Sequence, residues 1–237
     1  MSLAAAPEPV EIDLARSALL IVDMQNDFLH ADGWFPRSGV DTSPVLALLP
    51  TLNALTAAAR AADMPVIWLN WGVRADCANI GPALLDKGRL GGRRPGYADP
   101  SPSGRGHILV RDDWGSQIID GLAVGPRDLT IYKHRFSGFW DNELDSVLRN
   151  RDVSTLFFAG INIDRCVFAT LTDASFLGYD CVLLEDATAT PSPAFVTQAI
   201  HYLVNLLYGV VAKSDALIAA LGKPASIIPS EQDRSAP

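Results

Sequence analysis

The chain has 237 residues, a net charge of −8 and a hydrophobic content of 49%. This size and composition suit one α/β domain with a sizeable core, and no break in composition divides the chain, so we predict a single domain over residues 1–237. The negative charge disfavours nucleic acids and anionic membranes as partners, which leaves a small molecule or another protein.

Three cysteines, Cys77, Cys166 and Cys181, are too few and too irregularly spaced for a disulfide framework. They form no CxxC pair of the kind that structural zinc sites use, and a reducing cytoplasm is the expected location. The first residues lack the basic and apolar regions of a signal peptide, and no apolar run is long enough to cross a bilayer. We therefore expect neither a leader nor a membrane segment.

Short apolar runs alternate with stretches of helical periodicity. In chain order the predicted elements are the strand "SALLIVDM", a helix over 44–62, the strands "MPVIWLN" and "LTIYK", a helix over 142–150, the strand "STLFFAG", a helix over 165–177, the strand "YDCVLLED", a helix over 194–206 and the strand "YGVVAK". Strands that are apolar throughout and separated by helices are typical of a parallel sheet buried on both faces. The pattern predicts a doubly wound α/β domain.

The stretch over residues 71–128 differs from the rest because it is rich in Gly, Pro and Arg, as in "GRLGGRRPGYADPSPSGRG". We predict a long, loop-rich excursion, and loops of this length usually serve function or assembly. Because many groups of this excursion would need a partner surface, we expect the protein to form a homodimer or homotetramer. The tail over residues 225–237 is expected to be frayed.

Three reactive side chains stand where predicted strands end. Asp23 closes the first strand, Lys133 ends "LTIYK", and Cys166 follows "STLFFAG" near the start of a helix. Because ligands of open α/β sheets bind beyond the carboxyl ends of the strands, an acid, an amine and a thiol at three such ends indicate a shared site.

Each of these residues also has an ordinary structural interpretation. Cys166 suits a buried core position as well as a nucleophile, although Asp164 is a plausible helix N-cap that would place the thiol in a first turn, where free N–H groups favour thiolate. Lys133 suits a lysine that extends from a strand end to solvent, and Asp23 suits a helix cap. The residues alone leave these alternatives open.

Three segments, "LLIVDMQNDF", "KHRFSGFWDNELDSVLR" and "GINIDRCVFATLTDASFLGYDCVLLEDA", resemble the signature regions of the isochorismatase-like cysteine hydrolases. The resemblance covers roughly residues 18–220 and implies a six-stranded parallel sheet with helices on both faces. It implies a catalytic aspartate at Asp23, a catalytic lysine at Lys133 and a nucleophile at Cys166. It also implies an oxyanion hole formed by the backbone N–H groups of Asn162 and Cys166, with a cis peptide bond before Asn162.

Within this family, "SGFWDNELDSVLR" and "RDDWGSQIIDGL" are similar to segments of the members that hydrolyse ureidoacrylate. The chain has Asn70-Trp71-Gly72 where those members have Asn-Gly-Trp, and it has Asn162 where Thr or Ala is usual. The resemblance implies a cysteine-dependent amidohydrolase that cleaves a small ureido or N-carbamoyl amide through a thioester and releases ammonia. The alternatives are hydrolysis of another small amide (biuret, N-carbamoylsarcosine or an aliphatic amide) and a non-catalytic binding module on the same fold.

Polar and aromatic side chains near the strand ends are the candidates for substrate binding. They are Asn70, Arg74, Phe28, Trp34, Phe35, Trp71, Phe139 and Trp140. Packing in the core or in an oligomer explains about half of the aromatic residues equally well. The region after the second strand lacks the Asp-x-His of metal-binding relatives, and the histidines show no ligand spacing, so we expect no catalytic metal and no cofactor.

Overall fold

A mixed sheet of seven strands forms the centre of the computed structural model, which describes residues 1–89 and 91–222. The described residues contain nine strands, seven of which form this sheet: β1 Ser2–Leu3, β2 Ala5–Ala6, β3 Val10–Glu11, β4 Ser17–Val22, β5 Val66–Trp71, β6 Leu129–Lys133, β7 Thr155–Ile161, β8 Asp180–Ala189 and β9 Val210–Ala212. The order in the large sheet is β2-β9-β8-β7-β4-β5-β6, while β1 and β3 pair with each other. The tail predicted to fray, residues 225–237, lies outside the described residues.

Helices connect these strands. They are α1 Asn26–Leu29, α2 Trp34–Arg37, α3 Ser43–Leu46, α4 Leu49–Ala61, α5 Pro82–Arg89, α6 Leu144–Asn150, α7 Phe168–Phe176, α8 Ala194–Leu203 and α9 Ser214–Leu221. Two turns of π-helix, Ile163–Val167 and Val204–Tyr208, precede α7 and follow α8. The helices predicted over 165–177 and 194–206 therefore each overlap part of a π-helical turn.

The predicted doubly wound α/β class is confirmed, but the predicted strand number is too low. Strands β4 to β9 pair in parallel, and the seventh strand, β2, pairs antiparallel with β9 at the edge of the sheet. A two-residue strand has no periodicity that a sequence could reveal, which explains why it was not predicted.

Every residue of β4, β5 and β7 is buried. Because successive side chains of a strand point to opposite faces, both faces of the sheet must be covered. The chain runs from β4 outward to β5 and β6, and then returns to place β7 on the other side of β4. Ligands of such sheets bind beyond the carboxyl ends of the strands at the point where the order reverses, which is here next to β4.

The segment between β5 and β6 contains little regular structure, as predicted. Its regular elements in the described part of the chain are α5 and a single 3₁₀ turn, Trp114–Ser116. Within residues 1–89 and 91–222, no helix has the length and apolar character that crossing a membrane requires.

Candidate active site

An ion pair between two buried side chains lies beyond the ends of β4 and β6. Asp23 is 1% exposed and Lys133 is 0% exposed, and Lys133 Nζ lies 3.0 Å from Asp23 Oδ2. Strand β5 separates β4 from β6, so the lysine side chain passes across the end of β5, where its Nζ lies 4.2 Å from the ring centroid of Trp71. This confirms the prediction that the side chains at the ends of these two strands lie close together.

Cys166 lies in the π-helical turn after β7 and is 4% exposed. Burial raises the pKa of its thiol, and the nearby charge of Asp23 raises it further, while Lys133 acts in the opposite direction with a smaller effect. This differs from the expectation that the helix start would favour thiolate, because removal from water disfavours the charged form. Burial of Cys166 therefore favours its neutral thiol over the thiolate.

Asp23 is the carboxyl group that interacts with this thiol. Burial raises the pKa of its carboxyl group, and the Lys133 charge and the Cys166 thiol oppose this effect only in part. Oδ2 of this carboxylate lies 3.0 Å from Lys133 Nζ, and the Cys166 thiol also interacts with it.

The turn that carries Cys166 begins at Asn162, which is its N-cap, and the Ile161–Asn162 peptide bond is cis, as the resemblance implies. The prediction that Asp164 is the N-cap is wrong. Asp164 lies inside the turn, and its carboxylate accepts hydrogen bonds from the hydroxyl groups of Thr190 at 2.6 Å and Ser192 at 2.8 Å. The use of the Asn162 and Cys166 N–H groups as an oxyanion hole stays a prediction.

A cavity of about 170 Å³ opens onto Cys166 and Asn162. This volume is below that of sites for drug-sized ligands, which measure about 300–1,000 Å³, and it suits a small linear molecule. Four of the aromatic residues singled out from the sequence line it: Phe28, Trp34, Phe35 and Trp71. Further lining residues that the sequence analysis did not identify are Leu84, Lys87, Arg94, Tyr97, Phe136 and Arg165.

Two polar residues proposed from the sequence to bind substrate do not line this cavity. Arg74 is exposed and forms an ion pair with Asp76 at 2.7 Å, because a carboxylate two residues away is closer than the site. Asn70 is buried at the end of β5, and its Oδ1 has no hydrogen-bond donor among the described residues.

Two aromatic residues proposed from the sequence also lie elsewhere. Phe139 packs against Tyr179, with ring centroids 5.7 Å apart. Trp140 is exposed, and its indole N–H donates to Asp173 on α7 at 2.6 Å. The chain after β6 thus directs both rings toward α7 and the start of β8 rather than toward Cys166.

The "DMQNDF" segment fixes the excursion over the site. The Gln25 amide donates to the carbonyl oxygens of Trp71 and Ser116, both at 2.7 Å, and its Oε1 accepts from the Trp71 N–H at 2.7 Å. One buried side chain thereby joins the end of β5 to the far part of the excursion.

The next two residues of the segment extend this attachment. Asn26 donates from its amide to Trp114 O at 2.9 Å. The buried Asp27 carboxylate accepts from the Leu109 N–H at 2.8 Å and from the Ser101 hydroxyl group at 3.3 Å. Residues of the excursion are therefore held where they can form a wall of the cavity.

Tyr97 is the excursion residue most closely integrated into that wall. Its ring stacks on Trp71 with centroids 5.0 Å apart and an interplanar angle of 15°, and it is buried. No periodicity marks it in the sequence. The available signal was an isolated aromatic residue within the Gly- and Pro-rich "RRPGYADP".

Across the two described ranges, no cluster of three or more His, Cys, Asp or Glu side chains has an arrangement that could hold a metal ion.

Residues 17–215 match the family model described as Isochorismatase domain. The chain belongs to the isochorismatase family. It is 32% identical over 244 residues to ureidoacrylate amidohydrolase RutB of Klebsiella pneumoniae, with all of both chains covered.

Solved structures of the family share this fold. A cysteine hydrolase from Pseudomonas syringae superposes with a TM-score of 0.73 at 26% identity, covering 92% of this chain and 96% of that one. N-carbamoylsarcosine amidase from Thermoplasma acidophilum superposes with a TM-score of 0.64 at 26% identity, covering 84% and 97%. Family and relatives together make this chain an amidohydrolase of the isochorismatase and cysteine-hydrolase type.

Proposed function

We propose that this enzyme hydrolyses the amide of a small ureido or N-carbamoyl compound through a covalent intermediate on Cys166. The observation that carries the proposal is the buried Lys133–Asp23 ion pair, which interacts with the Cys166 thiol at a small cavity. Two relatives named for action on ureidoacrylate and on N-carbamoylsarcosine support the substrate class, since both compounds contain an N-carbamoyl group.

In the first step Asp23 takes the proton of the thiol while sulfur attacks the carbonyl carbon. The carbonyl π bond opens, and the negative charge on its oxygen is stabilised by the N–H groups of Asn162 and Cys166. Protonated Asp23 then gives its proton to the nitrogen that leaves as ammonia. The enzyme is left with an S-carbamoyl group, a thioester-type intermediate.

In the second step Asp23 takes a proton from water, whose oxygen attacks the same carbon. The carbon–sulfur bond breaks, and the proton returns to sulfur. The product is a carbamate, which decays to carbon dioxide and an amine. Lys133 opposes the burial that raises the pKa of Asp23, and so favours the ionised carboxylate that these steps require.

The nucleophile is tested by Cys166→Ala and Cys166→Ser. We expect both variants to lose ammonia release to background while keeping the melting temperature of the parent enzyme within a few degrees. Cys77→Ala is the matched control, because Cys77 lies outside the cavity, and it should stay active. Full activity of Cys166→Ala would exclude the covalent mechanism.

The substrate is tested by measuring ammonia release from ureido acids, biuret, N-carbamoyl amino acids and simple aliphatic amides. We expect the ureido and N-carbamoyl compounds to give the highest kcat/KM. A clear preference for aliphatic amides would contradict the proposed substrate class while retaining the nucleophile.

A further inference from the structure

We infer that the substrate carries a carboxylate and that Arg94 and Arg165 bind it in the cavity. This inference rests on the proposed function and narrows its substrate class to ureido acids. It assigns to two arginines a role in specificity.

The charge of the cavity is opposite to that of the whole molecule. The chain has a net charge of −8, yet Lys87, Arg94 and Arg165 line the cavity, and no Asp or Glu is among the described lining residues. The nearest catalytic carboxylate, Asp23, is already paired with Lys133. Positive charge concentrated in a cleft attracts and holds an anion.

Arg94 is half-buried without a carboxylate partner among the described residues. Its Nε donates to Gly88 O at 3.3 Å, and its guanidinium group lies 5.0 Å from the ring centroid of Trp34. Arg74, Arg89 and Arg127 of the excursion each pair with an aspartate, as Arg89 does with Asp99 at 2.6 Å. The Arg94 charge is therefore oriented by a ring and a carbonyl group and remains available for a ligand.

Arg165 directly precedes Cys166 and is held only loosely. Its Nη2 lies 3.4 Å from Ser192 Oγ, and its Nε lies 3.7 Å from Asp164 Oδ2. Asp164 lies closer to the hydroxyl groups of Thr190 and Ser192, at 2.6 and 2.8 Å, so its ion pair with Arg165 is long and fixes the guanidinium group weakly.

The two guanidinium groups are close enough to affect each other. Burial lowers the pKa of Arg94, and the charge of Arg165 acts in the same direction. A carboxylate between them would relieve the repulsion and accept charge-assisted hydrogen bonds from both. The cavity of about 170 Å³ leaves room for a short acid with its ureido group at Cys166.

The inference is tested with Arg94→Gln and Arg165→Gln, using 3-ureidopropionate and the uncharged (3-hydroxypropyl)urea as substrates. The parent enzyme should prefer the acid. Because a hydrogen bond to a charged group contributes about 1.5–3 kcal/mol, each variant should lose about 10–100-fold in kcat/KM for the acid, mainly through KM. For the alcohol each variant should change less than about threefold.

Arg127→Gln is the matched control, since Arg127 is an exposed arginine of the excursion that pairs with Asp63 away from the cavity. It should leave both substrates unaffected. Equal losses for acid and alcohol in the Arg94 and Arg165 variants, or no preference for the acid in the parent enzyme, would overturn the inference.

A second measurement does not depend on hydrolysis. Iodoacetate differs from iodoacetamide by a carboxylate in place of a neutral amide, and the ratio of their alkylation rates at Cys166 can be compared with the ratio at Cys77 by mass spectrometry. We expect a higher ratio at Cys166 that falls toward that of Cys77 in both Gln variants. A high ratio without hydrolysis of any ureido compound would support the anion site and contradict the proposed function, whereas equal ratios would overturn the inference.

Discussion

Lys133 is the residue whose burial most constrains the chemistry. Its ammonium group has no exposure and lies 3.0 Å from the Asp23 carboxylate. Lys133→Met keeps the aliphatic stem and removes the charge. Since opposite charges shift a pKa by about 1–3 units, the pKa of Asp23, already raised by burial, should rise further.

A base must be deprotonated to act, so we expect Lys133→Met to move the acidic limb of the kcat/KM profile to higher pH and to lose most activity at neutral pH. The pH dependence of Cys166 alkylation should also move upward, because Lys133 lowers the pKa of that thiol. Lys133→Arg should not restore activity, since a planar guanidinium group does not fit the place of a compact ammonium group. Lys213→Met is the control, because Lys213 is exposed. Unchanged pH profiles of kcat/KM and of Cys166 alkylation in Lys133→Met would contradict this role of Lys133 and leave Asp23 as the sole activating group.

At the scale of elements, the excursion depends on the hydrogen bonds of Gln25. Gln25→Ala would leave the buried N–H and C=O groups of Trp71 without their partners. An unsatisfied buried polar group costs about 1–3 kcal/mol, so we expect a loss of at least that size in the free energy of unfolding, measured with urea. KM should rise as well, because Trp71 forms part of the cavity wall.

The control for that prediction is Asn53→Ala. The Asn53 amide bridges Gly121 O at 2.7 Å and Ala123 N at 3.0 Å in an exposed part of the same excursion. Water can replace these bonds, so the loss should be below about 1 kcal/mol. Equal destabilisation by the two substitutions would show that burial of the Gln25 contacts is not decisive.

The elements also show why the sequence predicted some features and not others. Buried strands give continuous apolar runs, and strand ends in a parallel sheet converge, so the meeting of Asp23 and Lys133 could be predicted. Arg94 and Tyr97 lie in a segment without periodicity, where only the folded backbone shows what faces the cavity. The direction of the Cys166 pKa shift depends on its burial, and the sequence indicated only the start of a helix.

At the scale of the whole molecule, one helix exposes an apolar stripe. Phe195, Tyr202 and Leu206 are 69%, 65% and 57% exposed, and they follow one another at intervals of seven and four residues along α8 and the π-helical turn after it. Such spacing places them on one face of the helix. The excursion already binds its own chain through the hydrogen bonds of the "DMQNDF" segment. The stripe is therefore a better candidate than the excursion for the contact between subunits of the expected homodimer or homotetramer.

We expect a second copy of the chain to cover the stripe, since a two-fold axis through one helix face lets identical apolar side chains pack against each other. Light scattering at micromolar concentration should give two or four times the chain mass of 25.4 kDa. Leu206→Glu would place like charges on both sides of such an axis and should reduce the measured mass. Val124→Glu, at an apolar excursion residue with 50% exposure, should not. A parent enzyme of 25.4 kDa, or equal effects of the two substitutions, would contradict this contact and leave the stripe without a role in assembly.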